Sequence, residues 1–328
     1  MKKFFAIVLC LVTAVLFVSC EPVPKDDSGE AAKEYVLMAP DGAPAVAIAQ
    51  ILKDGKVGNV NINASIVSGA DEIVTNVTNG TADIAVMPVN LAARVYNLGA
   101  KIKFVSVNVS GCLYMVGKTA ITTVNDLVGK VVYNIGRGGT PDLTLKYILT
   151  QSGIAFEESE TAVEGKVALQ YVAAASELVP LLKTGKAEFG VMGEPAVTNC
   201  NAKAGTQTVL DIQAEWKKLT GEDYTQAGLV VADKVAENAD FMQALIEALE
   251  NSNAWCKENA ASIKDILSGK GSSLTVDFTA EIIERSNVGY VSAAAARENV
   301  EKYLNVIKGF NDKLIGGKLP DDGFYYGV

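Results

Sequence analysis

The sequence predicts an α/β protein of two lobes, and three observations carry that expectation. Short apolar strand-like runs alternate with helix-like runs, a pattern that gives mostly parallel sheets with helices on both faces. The pattern occurs twice. "GAPAVAIAQIL" (42–52) returns as "GTPDLTLKYIL" (139–149), and "NGTADIAVMPV" (79–89) returns as "TGKAEFGVMGEP" (184–195), in the same order at separations of 97 and 105 residues. Finally, two strand-like stretches, "KIKFVSVNVSGCLYMVGK" (101–118) and "QAGLVVADK" (226–234), are placed to carry the chain to a second lobe and back.

Each element has a local reason. The apolar run at 36–39 is closed by Pro40, Asp41 and Gly42, and Pro44 then opens an apolar run to about Leu52; Pro in a first turn favours a helix there. "NINASIV" (61–67) reads as a strand closed by "SGAD", a helix follows from about Ala70 to Thr78, and Asn79-Gly80 leads into the strand "ADIAVM" (82–87), stopped by Pro88. The second unit repeats this as strand "GKVVYNI" (129–135), turn "GRGG", a helix from Thr140, strand "KVALQYV" (166–172), a helix from about Ser176, and strand "AEFGVM" (187–192). From about Val235 the spacing of apolar residues is helical, over 237–260 and 292–315. The expected division is 34–117 plus 230–328 for lobe I and 118–229 for lobe II.

The first residues read as a targeting segment. Lys2 and Lys3 precede an uncharged apolar run from Phe4 to Val18, then Ser19 and Cys20. The run is shorter than the roughly 20 residues a bilayer needs, so 1–19 is expected to be a signal peptide. A small residue and a Cys closing such a run also resemble a bacterial lipobox, although Phe17 stands where Leu is usual and Leu16 lies one step out. Cys20 is then the expected lipidation site, and the polar stretch 20–33 a tether between lipid and folded body.

Composition narrows the function. With 49% hydrophobic residues among 328, the chain can build two cores. Loss of 1–19 takes the basic residues from 29 to 27 against 38 acidic ones, so the net charge goes from −9 to −11; this argues against nucleic acid as a partner. There is no histidine, which removes the usual general base and the commonest metal ligand. Cys112, Cys200 and Cys256 form neither a disulfide framework nor a metal motif. No catalytic residue, metal or cofactor is expected.

A Gly turn followed by Pro at a helix start leaves N–H donors pointing back toward the strand ends, where they and the helix dipole favour a carboxylate, sulfonate, phosphate or carbonyl oxygen. Thr140 sits where an N-cap belongs and can cap its helix or offer its hydroxyl to a ligand. "GRGGTP" lacks the Gly-Lys-Ser/Thr ending of a nucleotide P-loop.

The Cys20 motif, "ADIAVMPV", "GKVVYNIGRGGTPDLTLKYIL", "FGVMGEPAVT" and "FNDKLIGGKLPDDGFYY" together resemble the nitrate, sulfonate and taurine branch of ABC-importer substrate-binding lipoproteins, which is also similar to thiamine-pyrimidine-precursor proteins. The resemblance implies a type II periplasmic-binding-protein fold: two mixed sheets flanked by helices, with a ligand cleft between the lobes. It implies a monomer that captures a small polar organic molecule and hands it to a permease and its ATPase subunit, on the outer face of a membrane. Loops after the lobe strands line the cleft in that family. They map here onto Pro40, Asp41, Gly42 and Ala43; Ser68, Gly69 and Ala70; Met87, Pro88 and Asn90; Arg137, Gly138, Gly139 and Thr140; and Glu194, with Tyr114 as a wall. Arg137 favours an anion, whereas Asp41 and Glu194 favour an amine or amidine. The alternative is an enzyme on the same two-lobed fold, a transferase or a pyrimidine-synthase-like protein; an adhesin would leave the paired turns unexplained.

Overall fold

The computed structural model describes residues 33–328; the expected signal peptide, Cys20 and the tether up to Ala32 lie outside the described residues. The first unit runs β1 (Glu34–Pro40), α1 (Ala43–Val46), α2 (Ala49–Asp54), β2 (Lys56–Val57), β3 (Val60–Val67), α3 (Ala70–Thr78), β4 (Ile84–Pro88) and α4 (Val89–Asn97). Two strands follow, β5 (Ile102–Ser110) and β6 (Leu113–Gly117). The second unit comprises β7 (Val131–Ile135), α5 (Thr140–Gln151), β8 (Phe156–Glu158), β9 (Val167–Val172), α6 (Ala175–Thr184), β10 (Phe189–Gly193) and α7 (Ala196–Ala204). It is completed by β11 (Gln207–Asp211) and α8 (Ile212–Thr220), after which β12 (Thr225–Ala232) returns. Then come α9 (Asp233–Ala236), α10 (Ala239–Glu250), α11 (Ser252–Glu258), α12 (Ala260–Ser268), α13 (Ala280–Arg285), β13 (Val288–Ser292) and α14 (Ala293–Phe310).

The strands form two mixed sheets, ordered β13-β5-β12-β4-β1-β3-β2 and β11-β6-β10-β7-β9-β8. The duplication read in the sequence is a duplication of topology. β1 lies between parallel β3 and β4, with β12 antiparallel beyond β4; β7 lies between parallel β9 and β10, with β6 antiparallel beyond β10. Side-chain alternation puts a core on each face. In β1, Tyr35, Leu37 and Ala39 face the packed side of α1, α2, α10 and α12, while Met38 joins α3, α4 and α14. In β10, Phe189 and Val191 pack with α5 and α8, and Met192 with α6 and α7. The chain's end is pinned to β5: Phe324 stacks on Phe104 at 5.2 Å, and Tyr326 N–H donates to Phe104 O.

Three expectations need correction. The stretch 101–118 is not one strand but two, β5 in the first sheet and β6 in the second, and β12 belongs whole to the first sheet, so the chain passes between the sheets at 111–112 and within 221–224. The helix expected from Pro44 to Leu52 is broken into α1 and α2 around Ala47 and Ile48, both of which are fully buried. The region after Val235 is not wholly helical, because β13 pairs with β5 and 272–279 is irregular.

Candidate functional site

A cavity of about 1320 Å³ opens where the carboxyl ends of β1, β3 and β4 meet those of β7, β9 and β10. Pro40, Ser68 and Pro88 mark the first three strand ends in its lining, and Ile135, Val172 and Gly193 the others. Sheets of this connectivity bind ligands outside their carboxyl ends, because each helix that follows a strand starts there. The starts of α1, α3, α5, α6 and α7, with Pro88 ahead of α4, all contribute to the lining. Thr140 N–H, the first of α5, meets no acceptor among the described residues.

The residues expected at the cleft divide three ways. Pro40, Asp41, Gly42, Ala43, Ser68, Gly69, Ala70, Pro88, Arg137, Gly138, Gly139, Thr140 and Glu194 line the cavity. Met87 does not: it is fully buried in the core of the first sheet. Asn90 is likewise buried, and its Nδ2 donates to Gly138 O at 3.1 Å, tying the start of α4 to the glycine turn. Tyr114 is half-buried outside the lining with the Arg285 guanidinium 5.8 Å from its ring centre; burial, then the charge of Asp211, pushes its hydroxyl up to about 12.

Several of the lining residues have partners that change their meaning. Gly139, not Thr140, is the N-cap of α5; Thr140 is the first helical residue, and its buried hydroxyl donates to Gln226 O at 3.2 Å. Asp41 accepts from the Ser272 hydroxyl at 2.6 Å and from the Ser273 N–H and hydroxyl at 2.8 and 2.7 Å. Glu194 is buried and accepts from Thr198 N–H, the Thr198 hydroxyl and Arg285. The two carboxylates that pointed to a cationic ligand are therefore engaged by the protein's own donors. Arg137 is also occupied, by Glu158 at 2.5 Å. Arg94, Lys183 and Lys203 bring exposed cations to the lining, without an ion pair among the described residues.

Sequence reasoning missed the residue that shapes the glycine turn. Asp142 is buried; its Oδ2 accepts from Gly138 N–H at 2.8 Å and from Lys146 at 2.9 Å, and its Oδ1 from the Tyr171 hydroxyl at 2.9 Å. Burial first, and then this carboxylate, raise the Tyr171 pKa. An acid at the third position of a predicted helix was a usable signal. Gln226, whose Oε1 accepts from Cys112 N–H, and Asn199 also line the cavity, but no local pattern announces them. Burial pushes the Cys112 thiol up to about 12, away from the thiolate form that is the nucleophile. Among the described residues no three His, Cys, Asp or Glu gather to hold a metal, and no helix is long and apolar enough to cross a membrane.

Fold and site together define a two-lobed α/β protein of the type II periplasmic-binding class, with a cleft at the strand ends of both sheets. Residues 59–262 match the NMT1/THI5-like family, and the chain belongs to it. It is similar to an ABC transporter structure from Parabacteroides distasonis (25% identity over 90% of this chain and 99% of that one, TM-score 0.73). It also shares its fold with the alkanesulfonate-binding protein SsuA of Xanthomonas axonopodis pv. citri bound to MOPS (12% identity, 90% and 98% covered, TM-score 0.63). The same holds for the periplasmic nitrate-binding protein NrtA of Synechocystis PCC 6803 (16% identity, 86% and 82% covered, TM-score 0.64). No curated protein sequence matches the chain.

Proposed function

We propose that the protein is the extracytoplasmic solute-binding component of an ABC importer. It captures a small polar organic molecule between lobe I, redrawn as 33–110 plus 225–328, and lobe II, redrawn as 113–220. It then delivers the solute to a permease coupled to an ATPase subunit, acting as a monomer tethered to the membrane through a lipid on Cys20. The observation that carries the reading is the convergence of helix starts from both sheets on one cavity. A binding protein needs oriented donors there and no catalytic set, and the chain offers the first without histidine.

The ligand class follows from what is left unpaired. Asp41, Glu194 and Asp142 are satisfied internally, while Arg94, Lys183, Lys203 and the start of α5 remain for an oxyanion. A sulfonate with an organic body is the favoured solute, in keeping with the alkanesulfonate-binding relative and with a cavity larger than the roughly 300–1,000 Å³ of most small-molecule sites. A thermal-shift screen of alkanesulfonates, taurine, nitrate, pyrimidines and amines tests this. A raised Tm with sulfonates and no chemical change in the ligand is the expected outcome; stabilisation by amines alone, or turnover, refutes it.

A further inference from the structure

Between α12 and α13 the chain runs through 270–278 with neither helix nor strand from Ser272 on. One end of this segment is fixed to the first sheet. Ile66 N–H donates to Lys270 O at 2.8 Å, and Asp41 takes three donors from Ser272 and Ser273. Two residues later the segment is tied to the other sheet's layer: Thr275 N–H and hydroxyl both donate to Asn199 Oδ1 on α7, at 3.3 and 3.1 Å. Ser273, part of the first tie, and Leu274, between the two ties, both line the cavity; Leu274 is 6% exposed and also packs against the core beside the first sheet.

An irregular segment left to itself loses backbone entropy on ordering and stays loose unless its polar groups are held. Here one charged and one amide acceptor hold it from opposite sides. Leucine brings no hydrogen-bonding group, so a Leu presented this way recognises by shape and apolar contact alone. We propose that 270–278 is a strap across the cavity, and that Leu274, set at a fixed depth by Asp41 and Asn199, is a specificity-determining contact for the apolar body of the solute. The proposal rests on the reading that the cavity holds the transported solute. Because the ties lie on different sheets, this wall is in register only when the two sheets' layers are together.

Two measurements on the mature chain test it. Hydrogen exchange compares wild type with Asn199→Ala: exchange at Thr275 is expected to quicken about tenfold while the Asp41-bonded amide of Ser273 keeps its protection. Unchanged exchange at Thr275 overturns the strap. Calorimetric titration then follows methanesulfonate, butanesulfonate and octanesulfonate on wild type and Leu274→Trp. The variant is expected to weaken octanesulfonate binding at least about tenfold more than methanesulfonate binding, from overpacking against the longer chain. Equal weakening across the series overturns the role of Leu274. Absence of binding by wild type rejects the sulfonate reading instead, and the exchange result still decides the strap.

Discussion

Arg285→Ala removes the guanidinium from a carboxylate that has no exposed side-chain surface. Glu194 follows β10 in the second sheet's layer, whereas Arg285 closes α13, which packs in the first. Without Arg285, Glu194 keeps only the two Thr198 donors, at 3.1 and 2.9 Å. Breaking a buried pair from one side costs about 3–5 kcal/mol. Arg285 is itself 37% exposed, so water can enter the vacated space and the expected loss is lower, about 2–3 kcal/mol. Glu194→Gln is neutral and can still accept from Thr198, and should lose about 1 kcal/mol. The double variant should resemble Glu194→Gln, giving a coupling of about 2–3 kcal/mol in a double-mutant cycle. Urea unfolding at constant m-value reads all four proteins. A loss below about 0.5 kcal/mol for Arg285→Ala, or simple additivity, refutes the claim that this pair joins the two layers.

Asp142→Ala strips the acceptor from Gly138 N–H, Lys146 and Tyr171; a stability loss of about 3 kcal/mol is expected by urea unfolding, with ligand affinity reduced as the glycine turn loosens. Gly42 has φ +116°, where a side chain is strained, so Gly42→Val should cost about 1–2 kcal/mol in stability and weaken binding from the first sheet's side, read by calorimetry. Alkaline pH should destabilise the protein. Burial pushes Cys256, Tyr114 and Tyr303 up to about 12 from their ordinary 9.0 or 10.0. Such groups keep their protons in the fold after the unfolded chain has released its own, so unfolding is flat below pH 9 and becomes easier between about pH 9 and 12. Urea midpoints at pH 8, 9.5 and 11 check this, and a midpoint that holds through pH 11 contradicts it.

What the sequence made legible is what is local. The helix expected from Ala70 to Thr78 is α3, and the strands after Asn79-Gly80 and Thr184-Gly185 are β4 and β10, because periodicity and turn chemistry act over a few residues. The cleft rim was readable for the same reason: strand ends closed by Pro88 or by the glycines after Ile135 mark themselves. The meaning of the charged rim residues was not. Asp41 is satisfied by Ser272, 231 positions away, and Glu194 by Arg285, 91 away; nothing near either acid hints at its partner. Thr140 fits a cap pattern, yet the turn lets Gly139 cap and sends the hydroxyl to Gln226, again through a distant strand. The strand β13 was hidden between two strongly helical stretches, where pairing with β5 overrides local pattern.

The central claim is that one solute is held by both rims at once. Hydrogen-exchange mass spectrometry, with and without the ligand that gives the largest thermal shift, measures this most directly. The account predicts added protection in two places together, at 68–72 with 42–45 on the first sheet and at 138–142 with 173–177 on the second, because only a ligand with affinity for both sides favours their closure. Protection confined to one of these rims, with the other exchanging as in the free protein, would contradict it.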